Sequence, residues 1–470
     1  MDRRITTTAA LAIVQALAAA SHAQQLIAKA RPGITPTLDR APVLAALGVS
    51  HIRPALAVQP ASDQLARSIG LDRYYALSLQ PGIDSAAAAA AIPRMTDLFE
   101  HVEEEHTGTI ADHFPQDPYF AHQWNLRNIG ADPVCDPQIA APTPVRPVGR
   151  DINALAAWQI RTTAPDIRIA VLDSGISPHP DLEPLLPGWS WDGNGTLDGC
   201  NHGTHVAGTI GAKANNNVGI TGVLWGAKIA PVKVLNGCWG TDVNYAAGII
   251  WSADHAEVSN SSLQYYSVGQ IMIDALDYAA AKGLVMVAAS GNMAGVVAWP
   301  GRHPGVIAVG ATTHTDARAS FSNTGPEVEM AAPGQMILSL HQNGGYACNS
   351  GTSMASPHVA AAAAMLRAED SRATPARIRQ ILAAAAEDLG ASGRDQEFGW
   401  GRLNLGRALH LSRCYADADF SGQIDAADVS EFGARFRAQH TYADIDLSGA
   451  FDEADVMGYL ELYVRGCKRE

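Results

Sequence analysis

The residues of this sequence best suited to chemistry are a serine, a histidine and an aspartate in three separate stretches. Ser353 lies in residues 349–360, NSGTSMASPHVA, where a Gly-Thr-Ser turn runs into an Ala-rich apolar segment that predicts a buried helix. Unpartnered N–H groups at a helix start favour developing negative charge. Pro357 is expected in the first helical turn, which tolerates proline. Taken alone, Ser353 is better explained as a helix N-cap.

An aspartate and a histidine occupy positions that suit the same chemistry. Asp173 follows a short apolar run that predicts a buried strand, although aspartate is also common in turns. His202 and His205 lie at a helix start; a metal pair is the alternative, but the glutamate of an HExxH motif is missing. A histidine can remove the proton of an attacking serine while a buried carboxylate orients its ring. The chain order Asp, His, Ser is one of three known for such a triad.

Alternating strand and helix patterns predict the elements that position these residues. Apolar runs predict buried strands at 167–172, 228–235, 283–289 and 306–309, and helical patterns lie at 241–255, 269–282 and 354–366. This alternation predicts an α/β fold, with a mostly parallel sheet flanked by helices on both faces. Active groups in such a fold belong at the carboxyl ends of strands.

Three long motifs together resemble the signatures of the subtilisin-like serine proteases: AVLDSGI around Asp173, NHGTHVAGT around His202 and SGTSMASPHVA around Ser353. The resemblance covers roughly residues 116–409. It implies an endopeptidase that cleaves protein or peptide substrates through an acyl-enzyme. Asp173 is then the orienting acid, His202 the base and Ser353 the nucleophile, whereas His205 is structural. The segment AASGNM resembles the family's oxyanion segment and makes Asn292 a side-chain donor.

The same resemblance places the substrate as an added strand beside Ser262 and Leu263. The family usually carries glycine after this Ser-Leu pair, whereas this sequence has Gln264. We expect Gln264 to narrow or polarise the pocket for the residue before the cleaved bond. The preferred residue at that position stays open.

The N-terminal region predicts export and processing. Residues 1–23 combine two arginines, an apolar run too short to cross a bilayer and a small-x-small site, a pattern typical of a secretory signal peptide. A core or amphipathic helix is the alternative. Residues 24–115, with a strand at 74–79 and a helical run at 85–105, predict a small α+β pro-segment that is removed. A plain accessory domain is the other interpretation.

Composition excludes several other partners. Hydrophobic residues make up 47% of the 470 positions, as in globular proteins, and the net charge is −14. Such acidity argues against nucleic acid or anionic membranes as main partners. No later run of about 20 apolar residues predicts a membrane span in the mature chain. No organic cofactor is expected.

Six cysteines in an exported chain predict disulfides. The family resemblance pairs Cys200 with Cys238. That leaves Cys135 and Cys348 to pair with each other, a bond that the resemblance does not itself provide.

A calcium site also follows from the resemblance. Asp181 and the Asn-rich loop at 215–220, with Asn217 as ligand, match a family Ca²⁺ site. Carboxylate and amide oxygens are ligands that Ca²⁺ prefers.

The last 60 residues contain two copies of one pattern, DADFSGQIDAAD and DIDLSGAFDEAD, which start 27 residues apart. Each copy has oxygen-bearing side chains at positions 1, 3, 5, 9 and 12 and glycine at position 6, the spacing of an EF-hand Ca²⁺ loop. Two surface turns rich in Asp and Ser are the alternative. The expected Ca²⁺ ligands are Asp417, Asp419, Ser421, Asp425 and Asp428 in the first loop, and Asp444, Asp446, Ser448, Asp452 and Asp455 in the second.

This tail, residues 411–470, resembles a dockerin module, which implies a cohesin-like anchoring protein as partner. Cys414 and Cys467 bracket it and are expected to clamp its ends. The hypothesis is therefore a secreted, self-processing serine endopeptidase, residues 116–410, with a Ca²⁺-binding docking tail. A catalytically silent, Ca²⁺-dependent surface adhesion or scaffold protein is the alternative from another class. Hydrolysis of esters rather than peptides is a further one.

Overall fold

The computed structural model describes residues 25–55, 71–80, 83–104, 114–136, 149–421 and 423–467. The chain divides into two compact units, Met1–Ala111 and Asp112–Glu470, close to the predicted boundary between residues 115 and 116. The predicted signal peptide lies outside the described residues. So do residues 105–113, where the sequence predicts the exposed end of the pro-segment.

The first unit is a four-stranded antiparallel sheet in the order β2-β3-β1-β4. Apolar side chains such as Leu26, Leu77, Ile92 and Phe99 form its own core. Its elements are β1 Gln25–Ala30, α1 Pro42–Ala46, β2 Val49–Pro54, β3 Tyr74–Leu79, α2 Ser85–Met95 and β4 Phe99–Glu104.

One expectation for this unit is wrong in its second half. The helical run predicted at 85–105 ends at Met95, and residues 99–104 form β4. Thr96 is already extended, and β4 then pairs with β1. Its apolar residues Phe99 and Val102 turn inward. Pairing at the sheet edge therefore overrides the helical pattern.

The second unit contains a seven-stranded sheet in the order β11-β10-β9-β8-β5-β7-β6, and every neighbouring pair is parallel. After β5 the chain forms β6 and β7 on one side of it and then crosses to β8 on its other side, so the strand order reverses at β5. Ligands bind at such a reversal, beyond the carboxyl ends of the strands. The strands are β5 Arg168–Asp173, β6 Trp189–Ser190, β7 Lys228–Lys233, β8 Val258–Ser261, β9 Val285–Ala289, β10 Val306–Thr312 and β11 Val328–Pro333, with a separate hairpin of β12 Ile337–Leu340 and β13 Tyr346–Asn349.

Helices cover both faces of this sheet, and the predicted α/β fold is confirmed. The longest, α7, packs against β8, β9 and β10 and is buried over most of its length because its alanines allow close approach to the sheet. The helices are α3 Ala154–Ile160, α4 Gly203–Gly211, α5 Asp242–His255, α6 Gln270–Ala281, α7 Thr352–Glu369, α8 Pro375–Ala385, α9 Leu405–Arg413, α10 Ala426–Arg437 and α11 Glu453–Arg465. Among the described residues, no helix combines the length and apolar character that a membrane span requires.

The tail is part of the second unit and shares its core. The rings of Tyr415 and Tyr442 stack, and each hydroxyl donates to the other residue's carbonyl, at 2.9 and 2.6 Å. These two residues belong to the same apolar cluster as α7 and the sheet. Gln380 of α8 donates to the carbonyl of Thr441 at 2.7 Å. The tail, which is the predicted docking module, therefore packs against the rest of the second unit and is hydrogen-bonded to it.

Candidate active site

Asp173 and His202 meet at the carboxyl end of β5. Asp173 is fully buried, and Nδ1 of His202 lies 2.8 Å from its Oδ1 and 3.0 Å from its Oδ2. Gly203 permits this approach, since a Cβ there would stand 2.1 Å from the carbonyl oxygen of Gly175. With Nδ1 donating to the carboxylate, Nε2 of a neutral ring is left as the acceptor.

A second carboxylate, Asp198, acts on the same histidine. Burial of the ring disfavours its charged form, but Asp173 and Asp198 outweigh this and raise the pKa of His202 above its ordinary value. Asp198 is held by the hydroxyls of Ser174, at 2.7 Å, and Thr204, at 2.6 Å. Sequence reasoning missed Asp198; the only signal was its position four residues before His202.

His205 is fully buried and bonded to backbone carbonyls, as expected for a structural role. Its Nε2 donates to the carbonyls of Ile337, at 3.0 Å, and Ala347, at 3.1 Å. Burial lowers the pKa of His205 to about 3, so the ring is neutral. In the part of the chain that the structure describes, the groupings able to hold a metal consist of aspartates only. Nothing therefore supports the metal-pair alternative for His202 and His205.

Ser353 lies in the first turn of α7, at the positive end of that helix. Gly351 occupies the N-cap position, so the N-cap explanation of Ser353 is wrong. Ser353 and His202 line one cleft of about 620 Å³. In this structure the Ser353 hydroxyl donates to the carbonyl of Ser262, 3.2 Å away, rather than to His202. Catalytic hydrogen bonds often tighten only when substrate binds.

Pro357 lies in the second turn of α7, not in the first as expected, because the helix begins at Thr352. Proline lacks the N–H that would bond the carbonyl four residues earlier, which belongs to Ser353. The Ser262 hydroxyl donates to that carbonyl at 2.8 Å and lies 2.9 Å from the Ser356 hydroxyl. The side chain of Ser262, assigned to substrate binding, therefore holds the backbone of Ser353.

Asn292 follows β9 and lines the same cleft. Its Oδ1 accepts from both the N–H of Thr352, at 2.8 Å, and the Thr352 hydroxyl, at 2.9 Å. Because the carbonyl end of the amide is occupied, Nδ2 remains as the donor. A Cβ on Gly351 would lie 3.4 Å from that Nδ2. Thr352 was missed by sequence reasoning, since a threonine in a GTS turn resembles any other turn residue.

Leu263 and Gln264 also line the cleft. Leu263 is buried, whereas Gln264 is half-buried. The Gln264 side chain is hydrogen-bonded at both ends, to the N–H of Asn292 and to the hydroxyl of Tyr266. Gln264, which stands where the family usually has glycine, therefore makes two hydrogen bonds that glycine could not make.

The Asp181 region differs from the expectation in one residue. Asn216, not Asn217, contacts Asp181: its amide nitrogen donates to Oδ1 at 2.8 Å. Asn217 is exposed, with a positive φ of 60° that turns it outward. The other oxygen, Oδ2, accepts from the N–H of Ile220 and the hydroxyl of Tyr346. Burial raises the pKa of Asp181 to about 6.

Each loop of the tail gathers three of its five expected ligands. The carboxylate oxygens of Asp417, Asp419 and Asp428, and those of Asp444, Asp446 and Asp455, lie within 4.8 Å of one another in each group.

The other expected ligands have local roles. Asp425 and Asp452 are N-caps of α10 and α11, where their side chains accept N–H groups of the first turn. Ser421 and Ser448 bond neighbouring backbone within their loops. The serines and capping aspartates therefore shape the loops around the acidic groups.

All three disulfides have the expected pairing, Cys200–Cys238, Cys135–Cys348 and Cys414–Cys467. The first joins the loop before His202 to the loop after β7, and both cysteines line the cleft. Within the described residues no cysteine is free.

A serine and a carboxylate-bound histidine in one cleft, beyond the ends of a parallel sheet, are typical of serine hydrolases. The chain belongs to the Subtilase family, whose model matches residues 165–401.

Several known proteins are similar to it. Over 274 residues the chain is 41% identical to the minor extracellular protease Epr of Bacillus subtilis (strain 168). This match covers 57% of this chain and 42% of Epr. The chain is 39% identical over 249 residues to subtilisin Savinase of Lederbergia lenta, covering 51% of this chain and 91% of Savinase. A solved structure of a protease from Pseudoalteromonas arctica PAMC 21717 matches with a TM-score of 0.56 and 29% identity, over 63% of this chain and 99% of that chain. The chain thus spans less than half the length of Epr.

Proposed function

We propose that this chain is a secreted endopeptidase that cleaves peptide bonds with an Asp173–His202–Ser353 triad and removes its own N-terminal pro-segment. The observation that carries the proposal is the pair of contacts at 2.8 and 3.0 Å between His202 and the buried Asp173, in a cleft that Ser353 also lines. The match to proteases over the same region supports it.

The attack begins with proton transfer. His202 accepts the hydroxyl proton of Ser353 at Nε2 as the oxygen bonds to the substrate's carbonyl carbon. The buried Asp173 carboxylate stabilises the imidazolium that forms and keeps the ring oriented. Rotation of the Ser353 hydroxyl away from the carbonyl of Ser262 brings it into this role.

The tetrahedral intermediate carries a negative oxygen that needs fixed donors. Nδ2 of Asn292 is one, because Thr352 holds the other end of the amide. The N–H of Ser353, in the first turn of α7, is the second, and the helix dipole adds to it. His202 then protonates the leaving amine, and water hydrolyses the acyl-enzyme with the same base.

The first unit is the proposed pro-segment. It has its own antiparallel sheet and core, and the apolar clusters of the second unit contain none of its described residues, so its removal would leave those clusters complete. Together with the sequence pattern of residues 1–23, this supports export of a precursor that is trimmed afterwards.

The tail is proposed to bind Ca²⁺. In each loop three carboxylates lie close together, and Asp417, Asp428 and Asp455 are fully buried, an arrangement that a divalent cation would neutralise. The second loop fits best: Oδ1 of Asp444 is buried without a hydrogen-bond partner, whereas Asp417 in the first loop already contacts His410 at 2.6 Å. Docking to a cohesin-like protein, and through it attachment to a cell surface, is the finer proposal, and it rests on the loop-helix repeat alone.

The test is expression of the full chain as wild type, Ser353→Ala and, as matched control, Ser267→Ala, a substitution at an exposed serine. We expect wild type and the control to cleave casein and to accumulate a trimmed form, whereas Ser353→Ala stays full length apart from signal removal and does not cleave. Normal trimming in Ser353→Ala would refute self-processing. Matched peptide and ester substrates distinguish an endopeptidase from an esterase, and inactivity of folded wild type on both would favour the scaffold alternative.

A further inference from the structure

A crevice lies between the segments that follow β8 and β9. The two strands are paired up to Ser261 and Ala288, after which their chains separate. They pair again at Tyr265 and Trp299, whose backbones exchange hydrogen bonds of 2.9 and 3.0 Å. The space between these two points opens into the cleft beside Ser353.

The side chain of Gln264 crosses this crevice. Its Oε1 accepts from the N–H of Asn292 on the opposite segment at 2.9 Å, and its Nε2 donates to the hydroxyl of Tyr266 at 3.0 Å. A Cβ built on Gly291 would lie only 3.1 Å from that Oε1. The amide therefore spans the gap and is in contact with the facing wall.

We infer that Gln264 is a specificity-determining residue, which closes the pocket for the residue before the cleaved bond to all but small side chains such as those of glycine, alanine and serine. The inference rests on the proposed function. An amide bonded at both ends is costly to displace, because the partly buried N–H of Asn292 would lose its acceptor. A bulky side chain would have to displace it, whereas a methyl group would not.

Gln264 is also a positioning residue for the oxyanion donor. Asn292 is held from two sides: Thr352 fixes its side-chain carbonyl, and Gln264 fixes its backbone N–H. Loss of the second contact loosens the segment that carries the donor. Loss of this contact should lower kcat on every substrate. Opening of the pocket should instead change the ratio of kcat/KM between large and small substrates.

The experiment uses two tetrapeptide p-nitroanilides that differ only in the last residue, alanine or phenylalanine. We expect wild type to prefer alanine. Gln264→Gly and Gln264→Ala empty the crevice and should raise the ratio of kcat/KM for phenylalanine over alanine by at least about 10- to 200-fold, the discrimination that a single methylene group provides in an apolar pocket. In both variants kcat on the alanine substrate should fall by about 2- to 10-fold, as expected for one lost hydrogen bond.

Gln264→Glu is the matched control. It fills the same space and accepts from Asn292, so it should keep the low ratio, whereas its negative charge near the developing oxyanion should lower kcat on both substrates to a similar extent. Thermal unfolding of each variant shows whether it is folded. A wild type that prefers phenylalanine, or a ratio that Gln264→Ala leaves unchanged, would overturn the inference. Lack of hydrolysis of either substrate by correctly folded wild type would instead count against the proposed function.

Discussion

The hydroxyl of Thr352 offers a sensitive test of how the oxyanion donor is oriented. Thr352→Val keeps the shape of the side chain and removes its hydroxyl. Oδ1 of Asn292 then loses one of its two donors, which are 2.8 and 2.9 Å away. The N–H of buried Gly291 also loses its acceptor, which is 3.1 Å away. One hydrogen bond contributes about 0.5–1.5 kcal/mol, so kcat should fall by about 2- to 13-fold with little change in KM.

The assay is a double-mutant cycle with Asn292→Leu on a single peptide substrate. Removal of one oxyanion donor costs about 10²–10³ in kcat, and we expect this for Asn292→Leu. Thr352→Val should add almost nothing in the Asn292→Leu background, because its effect passes through that amide. Thr352→Ser, which retains the hydroxyl, is the control and should keep most of the activity. Additive losses in the double mutant, with both proteins folded, would refute this role of Thr352.

Three other predictions follow from contacts of the second unit. Asp198→Asn should move the acidic limb of the pH profile of kcat/KM to lower pH, because His202 must be neutral to act as base and Asp198 raises its pKa; an unmoved midpoint would contradict this. Ser262→Ala leaves the buried carbonyl of Ser353 without its donor, and differential scanning calorimetry should show a loss of about 1–3 kcal/mol in stability, so an unchanged Tm would count against it. Gln380→Ala removes the donor to the carbonyls of Thr441 and Asp444, at the start of the second tail loop. We therefore expect this variant to need a higher Ca²⁺ concentration than wild type for the same rise in Tm. Identical Ca²⁺ midpoints in the two proteins would show that Gln380 does not contribute to Ca²⁺ binding.

Local patterns were sufficient to predict an α/β fold with a mostly parallel sheet, but β6, β8 and β11 lie outside the predicted strands. Buried strands such as β5 and β9 are short continuous apolar runs between turn signals, and such patterns depend on the segment itself. The predicted helical run at 85–105 shows the limit. Whether residues 99–104 are helix or strand is decided by the partner β1, whose paired residues, from Ala30↔Phe99 to Leu26↔Glu104, lie 69 to 78 positions earlier in the chain.

The positions of the candidate catalytic residues were predictable from long motifs, but their supporting contacts were not. Thr352 holds Asn292 from 60 residues away, and Ser262 holds Ser353 from 91 residues away. Neither contact leaves a mark in the local sequence. The choice of Asn217 over Asn216 failed for a similar reason, since the turn decides which of three adjacent asparagines faces Asp181.

The central claim is that His202 activates Ser353, and the rate of modification by a serine-directed phosphonate tests it most directly. Peptide mapping by mass spectrometry should locate the adduct on Ser353 in wild type. In a folded His202→Ala variant the serine is still present, but the reaction should be slower by orders of magnitude. An adduct on another residue, or equal rates in the two proteins, would contradict the account.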